Sequence, residues 1–175
     1  MIPTIETGRL TLSPAAAGDL DALLELWREP EVRRYLWNDR ELSREKAAGI
    51  LDGAIAASEH GAGLWTVRVG DDDALAGCVG LRPTEQPAIE PLAAFHPRHW
   101  GRGYATEALG ALLDHAFGTL GLAWLSAIVA EPDTGSARLL ERLGFRRTEM
   151  AMGQKHLLIA YALAAPDWHR PPPRP

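Results

Sequence analysis

The feature that most constrains how this chain can fold is a glycine-containing stretch, Arg98 to Ala108, which joins an apolar run to an amphipathic helix. The apolar run at 92–95 predicts the end of a strand, and the three-and-four spacing of apolar residues at 109–117 predicts one buried helix face. Gly101 and Gly103 let the backbone come close to a ligand, and the free N–H groups at a helix start attract negative charge. The stretch therefore predicts a phosphate-binding turn between a strand and a helix.

Two other phosphate-binding motifs can be tested against the same residues. A Walker loop requires Gly-Lys-Ser/Thr after its glycine run, and the sequence contains no such triplet. The dinucleotide fingerprint requires a third glycine three residues after Gly103, where Thr106 stands. Arg98 and Arg102 flank the glycines and would add donors and positive charge. A tight strand-to-helix turn without a ligand is the alternative interpretation.

Length and composition predict one soluble domain. The chain has 175 residues, of which 46% are hydrophobic, enough to bury a core without disulfides. No apolar run has the length of a membrane span, the first residues lack the features of a signal peptide, and Cys78 is the single cysteine. These features predict a cytoplasmic protein with no membrane partner, in which Cys78 is a buried core thiol.

Charge and histidine placement bear on two further classes of function. The net charge of -5 argues against a general nucleic-acid binder, because such proteins need a basic surface. His96 and His99 are the only close histidine pair, and the sequence offers no third and fourth ligand near them. We therefore expect no metal site.

The order of the predicted elements indicates a single α/β (α+β) domain at 1–168, followed by a proline-rich, disordered tail at 169–175. Strands are expected at 9–13, 65–69, 75–81, up to 95, at 124–129 and at 156–163, and helices at 20–27, 30–36, 43–55, 104–117 and 136–143. The apolar run 124–129 predicts a strand buried on both faces and parallel to the strand that ends at Phe95. Arg82 to Pro87 predicts a loop, and Pro91 predicts a sheet edge or a bulge.

The glycine stretch resembles the Arg/Gln-x-x-Gly-x-Gly/Ala motif of the GNAT superfamily of N-acetyltransferases, with Arg98, Gly101 and Gly103 at the fixed positions. Other positions from Ile5 to Trp168 resemble the branch typified by the ribosomal-protein N-terminal acetyltransferases (RimJ/RimL type). They are 5–10, Asp19, Leu24, Trp27, 30–32, 35–36, Pro97, Trp100, 104–108, 143–145, 161–163 and 167–168.

This resemblance implies a GNAT fold, a mixed and mostly antiparallel sheet that splays at its middle, with helices on both faces. It implies that acetyl-CoA is the cosubstrate, without a metal, and that an acetyl group passes directly to a primary amine in a ternary complex. The pyrophosphate would lie on the turn 98–103 and the pantetheine along the strand ending at Phe95. The implied coenzyme contacts are Phe95, Arg98, Trp100, Gly101, Arg102, Gly103, Tyr104, Ala105, Thr106, Asp133 and Ser136.

Direct aminolysis requires a neutral amine and a proton for the departing thiolate. Glu90 is the candidate base, with His96 and Glu85 as alternatives; a glutamate exposed in a proline-rich loop is the competing interpretation of Glu90. The family's usual acid is a tyrosine at the position of Leu140, so Ser136 is the substitute, although it could instead cap its helix. Asp133 stands where the branch usually has an asparagine that contacts the pantetheine, and it lacks the two amide donors.

The sequence therefore predicts an acetyl-CoA-dependent N-acetyltransferase whose acceptor is a protein N-terminus or a small-molecule amine, with no nucleic-acid partner. A non-catalytic acyl-CoA-binding sensor and a fold-only interaction module are the alternatives. The sequence leaves monomer and homodimer open.

Overall fold

The strands form two antiparallel sheets that lie side by side. This computed structural model describes residues 1–70, 72–84 and 88–172. The first sheet has the order β1 (Ile5–Glu6), β2 (Leu10–Pro14), β3 (Gly63–Val69), β4 (Gly77–Pro83) and β5 (Ile89–Phe95). The second sheet has the order β6 (Trp124–Ala130), β8 (Leu157–Ala164) and β7 (Arg146–Met152). Every backbone pairing within the two sheets is antiparallel.

Within residues 1–70, 72–84 and 88–172, five α-helices connect and cover the strands: α1 (Leu20–Arg28), α2 (Pro30–Leu36), α3 (Arg44–Ala57), α4 (Tyr104–Asp114) and α5 (Thr134–Arg142). Ser43 caps α3 by accepting a hydrogen bond from the Lys46 amide, as expected. A π-helical turn, His115–Thr119, extends α4. Within the described ranges, no helix is both long and apolar enough to cross a membrane.

The first sheet is covered on both faces because its strands carry apolar side chains on both. One core cluster joins Trp65, Val79 and Phe95 to the buried face of α4, which includes Leu109 and Leu112. A second cluster packs α1 and α3 on the opposite face of the same sheet. The predicted layers, with helices on both faces of the sheet, are confirmed.

The boundary between β5 and β6 is the place where the sheet divides. These strands are neighbours, but no backbone ladder joins them. A side chain bridges them instead, since Glu90 Oε1 accepts a hydrogen bond from the Ile128 amide at 3.1 Å. β5 is thus the edge of its sheet, as Pro91 predicted, and Pro91 pairs in regular register with Leu81. Without a ladder the two strands splay, as the resemblance implied, and the parallel orientation expected for the strand at 124–129 stays a prediction.

The strands differ from the predictions in three respects. The run 124–129 is not buried on both faces, since Ile128 is 61% exposed and Trp124 43% exposed, while the alternate residues are buried. Strand β7 was missed because its residues are exposed along its whole length and lack an apolar period. Strand β4 also extends to Pro83, into the predicted loop, whose residues 85–87 lie outside the described ranges.

Cys78 supplies a test of the core. The thiol is fully buried on β4, and burial raises its pKa to about 12. Because the thiolate is the reactive form, we expect the native protein not to react with a disulfide reagent at neutral pH, and the unfolded chain to release one equivalent. Absorbance titration with and without guanidinium measures this. Prompt reaction of the native protein would show that the core around β4 opens readily.

Candidate active site

A cavity of about 1010 Å³ occupies the split between the sheets. Its floor comes from β5 and β6, one end from the start of α4, one side from α5, and its roof from α2 and α3. The predicted residues that line it are Glu90, Phe95, Trp100, Gly101, Gly103, Tyr104, Ala105, Thr106, Asp133 and Ser136. Arg98 and Arg102 are exposed and lie outside this lining.

The turn before α4 is held in shape by its own residues. The Trp100 indole donates to the Phe95 carbonyl at 2.7 Å, and the Trp100 amide donates to the Pro97 carbonyl at 3.0 Å. Gly101 and Gly103 have φ values of 73° and 79°, which side-chain-bearing residues rarely adopt. A Cβ placed on Gly101 would meet no atom within 4 Å, so this glycine faces open space.

From Gly101 onward, the amide groups of this turn have no acceptor in the part of the protein that the structure describes. Among the described residues, nothing accepts the amide hydrogens of Gly101, Arg102 and Gly103, or those of the first three residues of α4. Successive free N–H groups at a helix start form a concave donor site with positive potential. The residues present therefore fit a diphosphate.

The cations around this turn support the same assignment. Among the described residues, Arg98, Arg102 and Arg142 form no ion pair with a carboxylate. Arg142 reaches the start of α4 from α5, where its Nη1 donates to Thr106 Oγ1 at 3.4 Å. A guanidinium at the positive end of a helix is unfavourable unless an anion binds between them. Sequence reasoning missed Arg142, although its spacing of four from Arg138 on an amphipathic helix placed both on the cavity side.

The surroundings of His99 favour its neutral form. Burial lowers its pKa, and the charges of Arg98 and Arg102 lower it further, with a smaller opposing effect of Asp72. Arg98 Nε donates to His99 Nε2 at 3.2 Å, which leaves the proton on Nδ1. In its neutral form, His99 adds no charge to the turn.

One carboxylate, Glu107, lies in the first turns of α4 and is neutralised by Arg9. Arg9 Nε donates to Glu107 Oε2 at 2.7 Å, and the Arg9 amide and the Thr7 hydroxyl donate to Oε1 at 2.9 and 2.7 Å. Arg9 also donates through Nη1 to the Arg102 carbonyl at 3.1 Å, and its guanidinium lies 4.8 Å from the centre of the Tyr104 ring. Arg9 thus contacts residues on both sides of Gly103.

The open edge of β5 carries the next set of donors. At the two ends of its ladder with β4, Thr84 N donates to Ala88 O and His96 N donates to Ala76 O, both at 3.0 Å. The backbone N–H and C=O groups of successive residues in a strand point to opposite edges of that strand. The backbone groups of the even-numbered residues of β5 therefore point toward β4, and those of the odd-numbered residues point into the split. The Trp100 bond to the Phe95 carbonyl agrees with this. Ala93 and Phe95 therefore direct their N–H groups into the cavity, whereas Pro91 has none to offer.

Glu90 lies on β5 and not in an exposed loop, so the competing interpretation of this residue was wrong. Its side chain is 14% exposed, and Oε2 pairs with the Arg82 guanidinium. Oε1 accepts from Ile128 N across the split. Each carboxylate oxygen has two lone pairs, so both oxygens keep one for a further donor.

The helix-capping role that the sequence analysis considered for Ser136 belongs to Asp133. Asp133 is the cap of α5, and its Oδ1 accepts from the Ser136 amide at 3.1 Å. Ser136 is therefore not the cap, and no described residue bonds its hydroxyl, which lies in the cavity lining. Leu140, at the position of the family's usual tyrosine, is buried against the same cavity.

Two of the remaining candidates, His96 and His156, lie outside the cavity lining. His96 is 5% exposed with Nδ1 3.4 Å from Glu29 Oε1, and it is not part of the cavity lining. Glu85 lies outside the described residues. His156 was expected on the last strand, but it is exposed in the turn before β8. Among the described residues, no group of three or more His, Cys, Asp or Glu could hold a metal ion.

The roof of the cavity is largely apolar. Val32, Leu36 and Trp37 of the α2 region and Ile50 of α3 line it, together with Arg34, Glu31 and Tyr35. The Tyr35 hydroxyl donates to the Pro132 carbonyl at 3.3 Å, which connects the roof to the loop between β6 and α5. The roof therefore reaches across the split to the loop that precedes α5.

Comparison with known proteins places this arrangement in a family. The pattern of the acetyltransferase (GNAT) domain matches residues 9–146. An uncharacterized N-acetyltransferase, p20, of Bacillus licheniformis is 30% identical over 150 residues, which cover 82% of this chain and 83% of the relative. An acetyltransferase from Agrobacterium tumefaciens has a TM-score of 0.82 with 29% identity, covering 93% of this chain and 95% of that one.

A more distant structure is informative about the fold alone. RimL, a ribosomal L7/L12 alpha-N-protein acetyltransferase in complex with coenzyme A, has a TM-score of 0.80 with 18% identity, covering 93% of this chain and 98% of its own. The fold, the split sheet and the family match together define a GNAT acetyltransferase. The chain belongs to this family, and its cosubstrate is acetyl-CoA.

Gly101 tests the phosphate site, and Gly121 is its matched control. Both have positive φ, 73° and 64°, and both have open space around a built Cβ, but only Gly101 lines the cavity. We expect Gly101→Val to raise the Kd for acetyl-CoA about 100-fold, because the side chain fills the phosphate position. Both variants should lower the Tm by a similar amount, but Gly121→Val should leave the Kd for acetyl-CoA unchanged. Calorimetric titration measures both, and wild-type affinity of Gly101→Val would contradict the assignment.

The contribution of Glu107 to the free energy of unfolding should depend on pH. Burial alone would raise the pKa of this carboxyl above its ordinary 4.5, but hydrogen bonds from Thr7 and Arg9 and the charge of Arg9 outweigh it and lower the pKa. A depressed pKa stabilises the fold above pH 4.5, and this stabilisation is lost as pH falls through the folded-state pKa. Glu107→Gln should therefore cost about 1 kcal/mol near neutral pH, and less in acid.

Urea unfolding of wild type and variant at several pH values measures this difference. Glu25→Gln is the control, since Glu25 is exposed and has no ion pair among the described residues. A Glu107 effect that does not change with pH would show that ionisation contributes nothing.

Proposed function

We propose that this protein transfers the acetyl group of acetyl-CoA directly to a primary amine within one ternary complex. The observation that carries the proposal is the continuity of the cavity. A single space reaches from the unpartnered amides at Gly101 and Gly103, past the outward-facing N–H groups of β5, to the chamber under α2. Donor and acceptor can lie end to end in it without a covalent enzyme intermediate.

The coenzyme is assigned to the end of the cavity at α4. The turn and Arg98, Arg102 and Arg142 would hold its phosphates, and Tyr104, Ala105, Thr106 and Trp100 would line its path. The amide-bearing arm of the coenzyme can pair with the odd-numbered residues of β5, whose backbone groups face the split. Asp133 caps its helix through Oδ1, which accepts from the Ser136 amide, and it lines the wall of the cavity beside this path.

Ala93 is placed to polarise the thioester carbonyl. Its N–H faces the split two residues from Phe95, and Pro91 on its other side supplies no competing donor. A fixed backbone donor aimed at the developing negative charge on oxygen stabilises the tetrahedral transition state. This role depends on the backbone of β5 and not on any side chain.

Glu90 is the proposed base. An amine is mostly protonated near pH 7, and removal of its proton precedes attack. Glu90 lies on the cavity floor close to Ala93 in sequence, and the lone pairs left free by Arg82 and Ile128 can accept that proton directly or through a water molecule. The Arg82 and Ile128 contacts fix the orientation of the carboxylate.

Ser136 is the proposed proton donor for the departing thiolate. Its hydroxyl lies in the cavity wall without a protein partner among the described residues, while its amide is fixed by Asp133. A hydroxyl held at the start of α5 can donate to sulfur in place of the tyrosine that Leu140 replaces.

The acceptor is proposed as a primary amine on an apolar body, from a protein N-terminus or a small molecule. The apolar roof supports an apolar body, and the likeness of the fold to RimL supports a protein N-terminus. A branch relationship to the ribosomal-protein acetyltransferases and a cytoplasmic location belong to the same proposal.

A second candidate function is an acyl-CoA-binding sensor. The observations that favour it are Leu140 in place of the usual acid and the engagement of both Glu90 oxygens. Such a protein would bind acetyl-CoA as tightly as an enzyme but would not turn over.

Coenzyme A release with a panel of amines separates the two functions, and Cys78 is too buried to contribute a background thiol. We expect turnover, with Glu90→Gln lowering kcat about 100-fold and Ser136→Ala about tenfold. Glu25→Gln and Ser126→Ala, which lie outside the cavity lining, should behave as wild type. Binding without turnover for any amine would favour the sensor, and unchanged rates in both site variants would remove the roles assigned to them.

A further inference from the structure

Glu107 presents an electrostatic problem that the proposed function leaves open. Its carboxylate lies on α4 four residues after Gly103, close to the amides that are proposed to receive a diphosphate. Its side chain is only 16% exposed, so water screens its charge poorly. An isolated carboxylate here would repel the ligand that the turn otherwise attracts.

Arg9, which is far from Glu107 in the sequence, neutralises this carboxylate. The turn between β1 and β2 brings it to α4, and two hydrogen bonds from Arg9 and one from Thr7 hold the Glu107 carboxylate. The pair is electrically neutral. The Thr7 hydroxyl oxygen also accepts from the Leu10 amide at 2.9 Å, so the tight turn that presents Arg9 is itself fixed.

The same guanidinium holds the phosphate turn. Nη1 donates to the Arg102 carbonyl, and the guanidinium lies against the Tyr104 ring, so the residues before and after Gly103 are both fixed. Gly103 has no side chain and a φ of 79°, so its own conformation is otherwise weakly determined. Orientation of the amides at 103 and 104 therefore depends on Arg9.

We infer that Arg9 is a positioning residue for coenzyme binding, which cancels the charge of Glu107 and fixes the amides on both sides of Gly103. The inference rests on the proposed placement of the diphosphate. It assigns to Arg9 no contact with the reacting atoms. Its effect should therefore fall on the Kd and KM for acetyl-CoA, with kcat at saturation within about twofold of wild type.

Substitution of Arg9 should weaken the binding of acetyl-CoA, whereas substitution of Glu107 should not. Arg9→Gln leaves Glu107 uncompensated and should raise the Kd for acetyl-CoA about tenfold. Glu107→Gln leaves Arg9 as a free cation beside the diphosphate, so Kd should stay within about twofold of wild type or fall. The double variant removes both charges, and its Kd should lie between those of Arg9→Gln and wild type. Added salt should narrow the gap between Arg9→Gln and the double variant.

Calorimetric titration with acetyl-CoA and thermal unfolding of each variant make the test. Arg44→Gln is the control, since it breaks an exposed Arg44–Asp21 pair away from the cavity and should leave Kd unchanged. If Arg9→Gln is poorly folded, Glu107→Gln and Arg9→Lys still decide the matter, because Arg9→Lys keeps the charge and should recover most of the affinity. Equal loss of affinity in Arg9→Gln and Glu107→Gln, in step with their Tm values, would overturn the inference.

The proposed function fails by a different result. If Gly101→Val binds acetyl-CoA as wild type does, the diphosphate is not on this turn. If Gly101→Val loses binding and Arg9→Gln keeps wild-type Kd, the site stands and the positioning role of Arg9 is overturned.

Discussion

The structure depends on one constraint: the backbone amides from Gly101 to the first turn of α4 have no acceptor within the described protein. Unpaired amides are costly when they are withdrawn from water, and a protein keeps them where a ligand supplies the acceptor. The Trp100 indole and the Arg9 contacts hold this turn from two sides, so its amides are positioned before a ligand binds. A donor site that is open and already ordered binds an anion with little further loss of entropy.

The split between the sheets extends the same principle along the cavity. If β5 and β6 formed a ladder, their edge groups would be used up and the cavity would close. Instead, one side chain, Glu90, joins the strands, and the odd-numbered amides of β5 remain available. Pro91 limits this edge, since it offers no N–H between Ile89 and Ala93. In the proposed reaction, backbone amides thus bind the diphosphate at one end of the cavity and face the thioester at the other, and side chains set the charge around them.

The fold was largely predictable from the sequence, and the reasons for the errors are physical. The glycine turn, the apolar face of α4 and the cap at Ser43 are local patterns with few alternatives, and all are confirmed. Strand β7 was not predictable from periodicity because no core covers it. Ile128 was misread because an apolar side chain facing a cavity has the same sequence pattern as one facing a core.

The site was only partly predictable because its important contacts are long-range. Arg9 and Glu107 are separated by 98 positions, and nothing local links them. Arg142 on α5 contacts Thr106 on α4, 36 positions away. Asp133, and not Ser136, caps α5, and which of the two does so depends on the backbone geometry of the turn. The charged surroundings of the turn emerge only when the elements are packed.

The central claim concerns where the diphosphate lies, and a crystal structure with bound coenzyme A tests it most directly. The account predicts phosphate oxygens within about 3.2 Å of the amide nitrogens of Gly103 and Tyr104, with the pantetheine beside the outward-facing edge of β5. A diphosphate bound elsewhere, with the turn amides bonded to protein atoms, would contradict it.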